Sequence, residues 1–397
     1  MLKVVNDIQS EIKKNNLSVI LMLDLSAAFD TIDQTRLLNK LEACFFIRGN
    51  ALKFIESYIK DRTYSVFLNG KSSNRCQLDY GVPQGSILGP KLFSMYIQDV
   101  EEIAIAHRIE IHSYADDTNL YLGFKPMGEF GASMEKIEGC LNEIQLYMRK
   151  NFLKINVSKT QVLFCGSPNQ LSLYESRFSE LYSALDIDIS DSTVLQNAKT
   201  LGLVIDQKLK FDDMISDIVK GAYFKLNKLK TIRNSLNEKT RISLVKCYVL
   251  TKLDYCNFVF ANASNKQIYR LQKCMNSAVR FIYDVRKSSS ITPYLKQAHF
   301  LPVKYRIKYK LNFYAYKILN GKAPLYMSTL IVRRTPNRNL RSADDETLLE
   351  TSCQNGTLAY RVCTEWNALP RSLRENLSLT TFKTTLKTHY FRIAFEL

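Results

Sequence analysis

Hydrophobic positions in the first part of the chain follow two periods, which predicts a mixture of strands and helices. Residues 19–23 form an uninterrupted apolar run that ends at Asp24, as expected of a strand buried on both faces. Residues 109–122 alternate apolar and polar positions on either side of an Asp-Asp pair at 116–117. This alternation predicts a β-hairpin with two acidic residues at its tip.

Beyond residue 211 the apolar period becomes that of helices. Apolar residues recur at intervals of three and four through 214–222, 242–249, 268–279 and 303–319, and the last segment meets the stop signal Asn320-Gly321. We therefore expect an α+β region followed by an all-helical region.

The charge of the chain is distributed unevenly. Residues 221–340 contain 24 Lys and Arg but only three acidic residues, with tyrosines and phenylalanines interleaved, whereas the whole chain carries +17. Basic surfaces bind polyanions because each neutralised phosphate releases condensed counterions. We favour nucleic acid as the partner of this segment over the alternative, a basic surface that is simply solvated.

Composition limits the class of protein. The chain has 397 residues, 46% of them hydrophobic, which is enough for two or three compact units and excludes a disordered tail or a small disulfide scaffold. No window reaches the roughly 18 consecutive apolar residues of a membrane helix, so we expect no membrane partner. Nine cysteines without a C-x-x-C pair indicate reduced thiols and a nuclear or cytoplasmic location.

Three aspartates carry the candidate chemistry. A carboxylate at the end of a buried strand, such as Asp24, is unfavourable without a compensating partner, and Asp116 and Asp117 repel each other unless a cation lies between them. If their strands are neighbours, the three carboxylates form an oxygen cluster suited to two Mg²⁺ ions, or to Mn²⁺, which would support phosphoryl transfer. Taken singly each signal is weak, because Asp-Asp pairs also occur in ordinary turns.

A glycine-rich loop at residues 81–90 lies between these acids in the sequence. Its glycines permit the backbone to approach a ligand closely, and Gln84 offers a donor and an acceptor to a base or sugar edge. Taken alone, this segment would be interpreted as an ordinary tight loop. Only its position between the acids in the sequence favours a loop that contacts a ligand.

Taken together, the motifs closely resemble, in order and spacing, the reverse transcriptase of LINE-type non-LTR retrotransposons. The matching segments are LDLSAAFD at 23–30, GVPQGSILGP at 81–90, YADD at 114–117, FLKINVSKT at 152–160, LGLVID at 201–206, LDYCN at 253–257, LPVKYRI at 301–307 and FRIAF at 391–395. The resemblance covers nearly the whole chain, and the central motifs are highly specific as a set.

The resemblance implies roles for the residues around the acids. Asp24, Asp116 and Asp117 would be the metal-binding catalytic acids, and the backbone carbonyl of Leu25 would be an additional ligand at the substrate site. Phe29 would exclude a ribose 2′-hydroxyl and so favour deoxynucleotides, the alternative being an aromatic of the core.

The resemblance also implies roles for three further segments. Gln84 and Gly85 would position the incoming nucleotide and the template. Lys159 would protonate the pyrophosphate leaving group, although a surface lysine is nearly as good an interpretation. Residues 201–206 would form the hairpin that grips the primer end.

The fold implied is α+β, a right-hand polymerase with an antiparallel palm sheet and a catalytic hairpin, then an all-helical thumb and a C-terminal extension. The expected domains are a partial palm at 1–165, a palm-thumb transition with the primer-grip hairpin at 166–215, a basic thumb at 216–300 and the extension at 301–397. The implied reaction adds a dNTP to the 3′-hydroxyl of a DNA primer on an RNA template.

The region before Asp24 departs from the family, which has a fingers region there and usually an endonuclease further upstream. Only 23 residues precede Asp24, so we expect a truncated element that lacks most of the fingers and the endonuclease. Each missing charge-assisted contact to the triphosphate would cost about 1.5–3 kcal/mol. Two functions therefore compete: an RNA-directed DNA polymerase, and a catalytically inactive remnant that only binds RNA or a nucleic-acid duplex.

Overall fold

The computed structural model describes residues 1–184, 195–334, 347–350, 354–375 and 378–396, so part of the expected C-terminal extension lies outside the described residues. The strands, in chain order, are β1 Leu17–Leu23, β2 Leu25–Ser26, β3 Arg62–Tyr64, β4 Phe67–Leu68, β5 Lys71–Ser72, β6 Cys76–Leu78, β7 Glu110–Tyr114, β8 Asp117–Phe124, β9 Lys154–Ile155, β10 Gln161–Cys165, β11 Asn197–Thr200 and β12 Leu203–Asp206.

The helices follow the same order along the chain. The α-helices are α1 Leu2–Lys13, α2 Gln34–Phe45, α3 Gly49–Ile59, α4 Gly89–Tyr96, α5 Asp99–Ala106, α6 Pro126–Lys150, α7 Pro168–Ala184, α8 Asp212–Thr231, α9 Glu238–Val245, α10 Thr251–Asp254, α11 Asn265–Tyr283, α12 Thr292–Gln297, α13 Val303–Leu319, α14 Leu358–Asn367, α15 Arg371–Arg374 and α16 Leu379–Phe395. Short 3₁₀ turns occupy Val157–Lys159, Arg233–Ser235, Asn257–Asn262 and Leu325–Leu330, and Lys246–Leu250 is π-helical.

The chain divides into two compact units. Residues 15–202 form the first, which we call the sheet unit, and residues 1–14 with 203–397 form the second, which we call the helical unit. The boundary falls inside the segment 201–206 that was expected to be a hairpin. The α+β class expected from the sequence is confirmed, whereas the finer four-part division remains a prediction.

The sheet unit is built around an antiparallel four-stranded sheet with the strand order β10-β1-β8-β7. All seven residues of β1 are buried, which confirms the strand predicted from the apolar run at 19–23. Alternate β1 residues, including Val19 and Leu21, share one hydrophobic core with Phe93 of α4 and Ile137 of α6. Burial of such side chains stabilises the fold by about 1.5–3 kcal/mol each, so the core anchors β1 along its whole length.

Helix α2 follows the turn after Asp24. It begins after Asp33, whose carboxylate accepts a hydrogen bond from the Arg36 backbone N–H at 2.8 Å. Aspartate is a favoured residue at this position because the first turn of a helix has N–H groups without helical partners. The apolar face of α2 places Leu37 and Leu41 in the same core as β1.

The helical unit joins the first residues of the chain to the last third. Buried Gln9 and Asn6 of α1 accept hydrogen bonds from the backbone N–H groups of Leu358 and Ala359, at 2.9 and 2.8 Å. These bonds satisfy donors in the first turn of α14, which would otherwise be buried without partners. Helix α13 spans the residues that the apolar period predicted. Among the described residues, every helix is too short or too polar to span a lipid bilayer.

Candidate active site

The register of β1 on β8 brings Asp24 to the turn that contains Asp116. Leu23 lies opposite Thr118, and Tyr114 lies opposite Asp117 in the adjoining pair of strands. Asp24 follows Leu23 in the chain, and Asp117 precedes Thr118. The two aspartates therefore lie opposite each other, one residue beyond the Leu23–Thr118 pair of β1 and β8. Such positions are close in space, with Cα atoms typically about 4.5–5.5 Å apart within an antiparallel ladder.

The hairpin predicted around the Asp-Asp pair is confirmed, with one refinement. Ala115 and Asp116 form the turn, and Asp117 is already the first residue of β8. Ala115 has a φ of 54°, in the left-handed region that few residues other than glycine occupy. The tight turn therefore keeps both acids at the end of the sheet where Asp24 lies.

The electrostatics of the three carboxylates show that they act on one another. The pKa of Asp117 is raised, first by its partial removal from water and then by the negative charges of Asp116 and Asp24. The Oδ2 atom of Asp24 is buried and has no hydrogen-bond partner among the described residues. A buried oxygen without a donor is unfavourable, so these residues fit a site that a cation completes.

No group of three or more His, Cys, Asp and Glu side chains is already gathered to hold a metal ion in the described part of the chain. The three aspartates are thus brought to one end of the sheet without a closed set of ligands. Carboxylate oxygens are the donors that Mg²⁺ prefers, and Mg²⁺ sites usually keep several water ligands.

A separate pair of strands, β2 and β9, brings Lys159 to the end of the sheet where Asp24 lies. Leu25 of β2 pairs with Ile155 of β9, and the Asn156 backbone N–H donates to the Asp24 carbonyl at 2.8 Å. The 3₁₀ turn that follows carries Lys159, whose Nζ lies 3.7 Å from Asp24 Oδ2. The lysine side chain is 69% exposed, so the pair contributes little to stability. Whether Lys159 acts on the leaving group, and whether the Leu25 carbonyl is a ligand, remain predictions.

The glycine-rich loop is fastened to the turn after Asp24 by its backbone. The Gly81 N–H donates to the Ile32 carbonyl at 2.8 Å, and the Val82 N–H donates to the Phe29 carbonyl at 2.9 Å. Gly81 has a φ of 84°, and a Cβ there would lie 2.7 Å from the Phe29 carbonyl oxygen. This close approach requires glycine.

Phe29 is half-buried and packs on the core. Its ring lies 4.9 Å from that of Phe93, measured between centroids. The contact agrees with the core interpretation of Phe29, and it also holds the side chain in one position beside the loop. Its proposed effect on sugar choice remains a prediction.

Gln84 has a partner that the sequence analysis missed. Its Nε2 donates to both carboxylate oxygens of Asp30, at 2.7 and 2.9 Å. Asp30 belongs to the motif that contains Asp24, but no periodicity relates it to a residue so far along the chain. Neither Gln84 nor Gly85 forms a hydrogen bond or an ion pair with the three aspartates among the residues described.

The helical unit contains an open basic cavity of about 710 Å³ along α8 and α11. Its lining combines tyrosines with five cations, Lys230, Arg233, Lys273, Arg280 and Lys287. Arg233 is engaged by Asp284 at 2.8 Å, whereas Lys273 lies over the Tyr269 ring at 4.7 Å. Exposed lysines beside aromatic rings are typical of nucleic-acid surfaces.

Residues 3–209 match the family model of reverse transcriptase (RNA-dependent DNA polymerase), so the chain belongs to the reverse transcriptase family. The resemblance to LINE-type elements that the motifs indicated is confirmed.

Several known proteins are similar to this chain. It is 25% identical over 271 residues to the probable RNA-directed DNA polymerase from transposon BS of Drosophila melanogaster, covering 66% of this chain and 28% of that protein. It is 25% identical over 292 residues to the RNA-directed DNA polymerase from mobile element jockey of the same species, covering 70% and 30%. A solved telomerase from Candida albicans aligns with a TM-score of 0.33 and 12% identity over 71% of this chain and 48% of that one. The chain thus spans less than a third of the length of these two curated relatives.

Replacement of Gly81 by alanine is expected to detach the loop from the turn. Both Gly81→Ala and Gly85→Ala place a side chain at positive φ, but only the first brings it within 3 Å of Phe29 and Asp30 backbone atoms. We expect Gly81→Ala to lower the free energy of unfolding by at least about 1 kcal/mol more than Gly85→Ala does. Urea denaturation of both variants measures the difference. Equal destabilisation would contradict the close approach.

Removal of the charge at Asp117 is expected to stabilise the chain when divalent cations are absent. The raised pKa means that ionisation of Asp117 opposes folding, so Asp117→Asn should raise the free energy of unfolding at pH 7 in EDTA, by less than about 1 kcal/mol. The stabilisation should vanish as the pH falls and the carboxyl becomes protonated. Asp61→Asn is the matched control, because Asp61 is exposed and its φ of 56° suits asparagine equally well. A destabilised Asp117→Asn protein would show that the acids do not repel one another.

Proposed function

We propose that this chain catalyses RNA-templated DNA synthesis. In this reaction the 3′-hydroxyl of a primer attacks the α-phosphate of a dNTP, a new P–O bond forms, and pyrophosphate leaves. The observation that carries the proposal is the meeting of Asp24, Asp116 and Asp117 at one end of the β1-β8 pair. The names of the curated relatives, RNA-directed DNA polymerases of mobile elements, support the same reaction.

The three aspartates would hold a pair of Mg²⁺ ions, or Mn²⁺ in their place. Asp24 Oδ2 accepts no hydrogen bond from the described residues and has only the exposed Lys159 ammonium near it, and Asp117 is repelled by the other two acids; a divalent cation would relieve both. When bound, such ions lower the pKa of the attacking hydroxyl and offset the charge that develops on the phosphates. The protein contributes the fixed positions of the carboxylates, which the strand register determines.

The remaining site residues would act on the nucleotide and the leaving group. Lys159 would donate a proton to the departing pyrophosphate from its position beside Asp24. Gln84, held through Nε2 by Asp30, would accept a hydrogen bond at Oε1 from the nucleotide or template. Phe29, fixed against Phe93, would exclude a ribose 2′-hydroxyl by its bulk.

The two units would divide the work of binding and chemistry. The sheet unit would be the palm, and α8 to α11 would be the thumb, whose basic cavity binds the phosphates of the template-primer duplex. Counterion release from those phosphates would supply most of the affinity.

Primer extension separates the polymerase from an inactive remnant. With a poly-A template, a DNA primer, dNTP and Mg²⁺, we expect extension by the 397-residue chain and a loss of at least about 100-fold in Asp116→Asn, because a carboxylate ligand is removed. Asp61→Asn should extend as the unmodified chain does. If neither the chain nor any variant extends the primer while all still bind it, the remnant is the correct description.

The salt dependence of binding tests the basic cavity. The slope of log K against log salt concentration decreases in magnitude by about 0.9 for each duplex phosphate that the protein no longer neutralises. Lys273→Gln/Lys287→Gln should therefore lower the slope by about 2, as measured by fluorescence anisotropy with a labelled duplex. The control Lys239→Gln/Lys266→Gln removes the same charge from exposed lysines outside the cavity lining. Equal slopes in the two double variants would exclude phosphate binding at the cavity.

A further inference from the structure

Two of the matching motifs have no part in the proposed reaction, and the structure brings them together. The segments 253–257 and 301–307 line a second cavity of the helical unit, about 280 Å³ in volume. The first motif supplies Asp254 and Asn257, and the second supplies Leu301 and Arg306. Tyr309 and Lys310 of α13 and Lys387 of α16 complete the lining.

Asn257 is the buried polar group of this cavity. The residue is 2% exposed, and its Oδ1 has no hydrogen-bond partner among the described residues. A buried acceptor without a donor is unfavourable, and such groups in folded proteins usually have a partner. The cavity therefore calls for a ligand that offers a hydroxyl or amine donor.

The cations of the cavity outnumber its acids. Arg306 is engaged by Asp254 through two parallel hydrogen bonds, one of them from Nε to Oδ1 at 2.6 Å. Asp254 is thereby engaged, which leaves Lys310 and Lys387 without another acid in the lining. The cavity therefore favours an anionic ligand.

The surroundings of Lys387 disfavour its positive charge. Much of its side chain is exposed, but its ammonium lies close enough to the protein that partial loss of water lowers its pKa. Repulsion from Arg306 and Lys246 lowers the pKa further. An anion bound beside Lys387 would relieve this repulsion.

We propose that this cavity binds one nucleotide unit of a single-stranded RNA, with its phosphate against Lys310 and Lys387 and its 2′-hydroxyl donating to Asn257 Oδ1. A hydroxyl donor next to a phosphate is what distinguishes an RNA backbone from a DNA backbone. The volume is near the lower end of small-ligand pockets, about 300–1,000 Å³, which suits a single unit and excludes a duplex. Half-buried Tyr309 offers an aromatic face of the kind on which single-stranded bases stack.

This RNA site is separate from the aspartates of the proposed active site and does not depend on catalysis. Asp116→Asn, which is expected to abolish primer extension, should bind RNA at this cavity as the unmodified chain does. Loss of polymerase activity and loss of this site are therefore distinguishable.

The experiment compares two double variants on three ligands. Lys310→Gln/Lys387→Gln changes the cavity, and Lys304→Gln/Lys383→Gln removes equal charge from exposed positions of the same two helices outside the lining. The ligands are a 12-nucleotide A-tract as RNA, as 2′-fluoro RNA and as DNA, measured by fluorescence anisotropy at 0.15 M salt. The 2′-fluoro RNA keeps an RNA-like sugar conformation and lacks the hydroxyl donor.

We expect the cavity variant to bind RNA at least tenfold more weakly than the control variant, and the unmodified chain to prefer RNA over 2′-fluoro RNA several-fold. Ultraviolet crosslinks of bound RNA should map to residues 301–310, and both variants should keep the circular dichroism spectrum of the unmodified chain. Equal RNA binding by the two variants would overturn the proposal. Equal affinity for RNA and 2′-fluoro RNA would also overturn it.

Discussion

The pairing of β1 with β8 is the constraint on which the candidate active site depends. β1 is buried along its whole length, so its register is determined by which of its residues enter the core with Phe93 and Ile137. A shift of one residue would send those side chains to the opposite face of the sheet. The same register determines that Asp24 follows the last buried residue and lies beside Asp117. The hydrophobic core therefore positions the acids, although none of its members takes part in chemistry.

The acids gathered in this way are unfavourable for the fold by themselves. The pKa of Asp117 is raised by partial loss of water and by the charges of Asp116 and Asp24, and a buried oxygen of Asp24 accepts no hydrogen bond from the described residues. Such local conflict persists where the surrounding structure over-determines the positions of the groups. Here the surrounding structure consists of the tight turn at Ala115, the strand pair of Leu25 with Ile155, and the close approach at Gly81.

In the helical unit several arginines form bonds within the fold, whereas several lysines line cavities. Several arginines are engaged within the fold: Arg233 with Asp284, Arg306 with Asp254, and Arg241 with the backbone carbonyl of Ile282. The planar guanidinium suits such fixed, multiple hydrogen bonds. Lysines such as Lys273, Lys310 and Lys387 instead line the two cavities, where a ligand can reach them. The large positive charge of this region thus overstates the number of cations available to nucleic acid.

The sequence by itself determined the elements and the class of protein. The apolar run at 19–23, the alternation around the Asp-Asp pair and the helical spacing at 303–319 each predict an element that the structure contains, because these signals depend on neighbours within a few residues. The family could likewise be identified from the sequence, because each motif is a short run of neighbouring residues and the motifs follow one another in a fixed order. Only the tertiary structure decided that Gln84 is held by Asp30 and that Asn257 lies in a cavity with Lys387. These partners are far apart along the chain, and no local period or propensity relates residues that meet only when separate elements pack together.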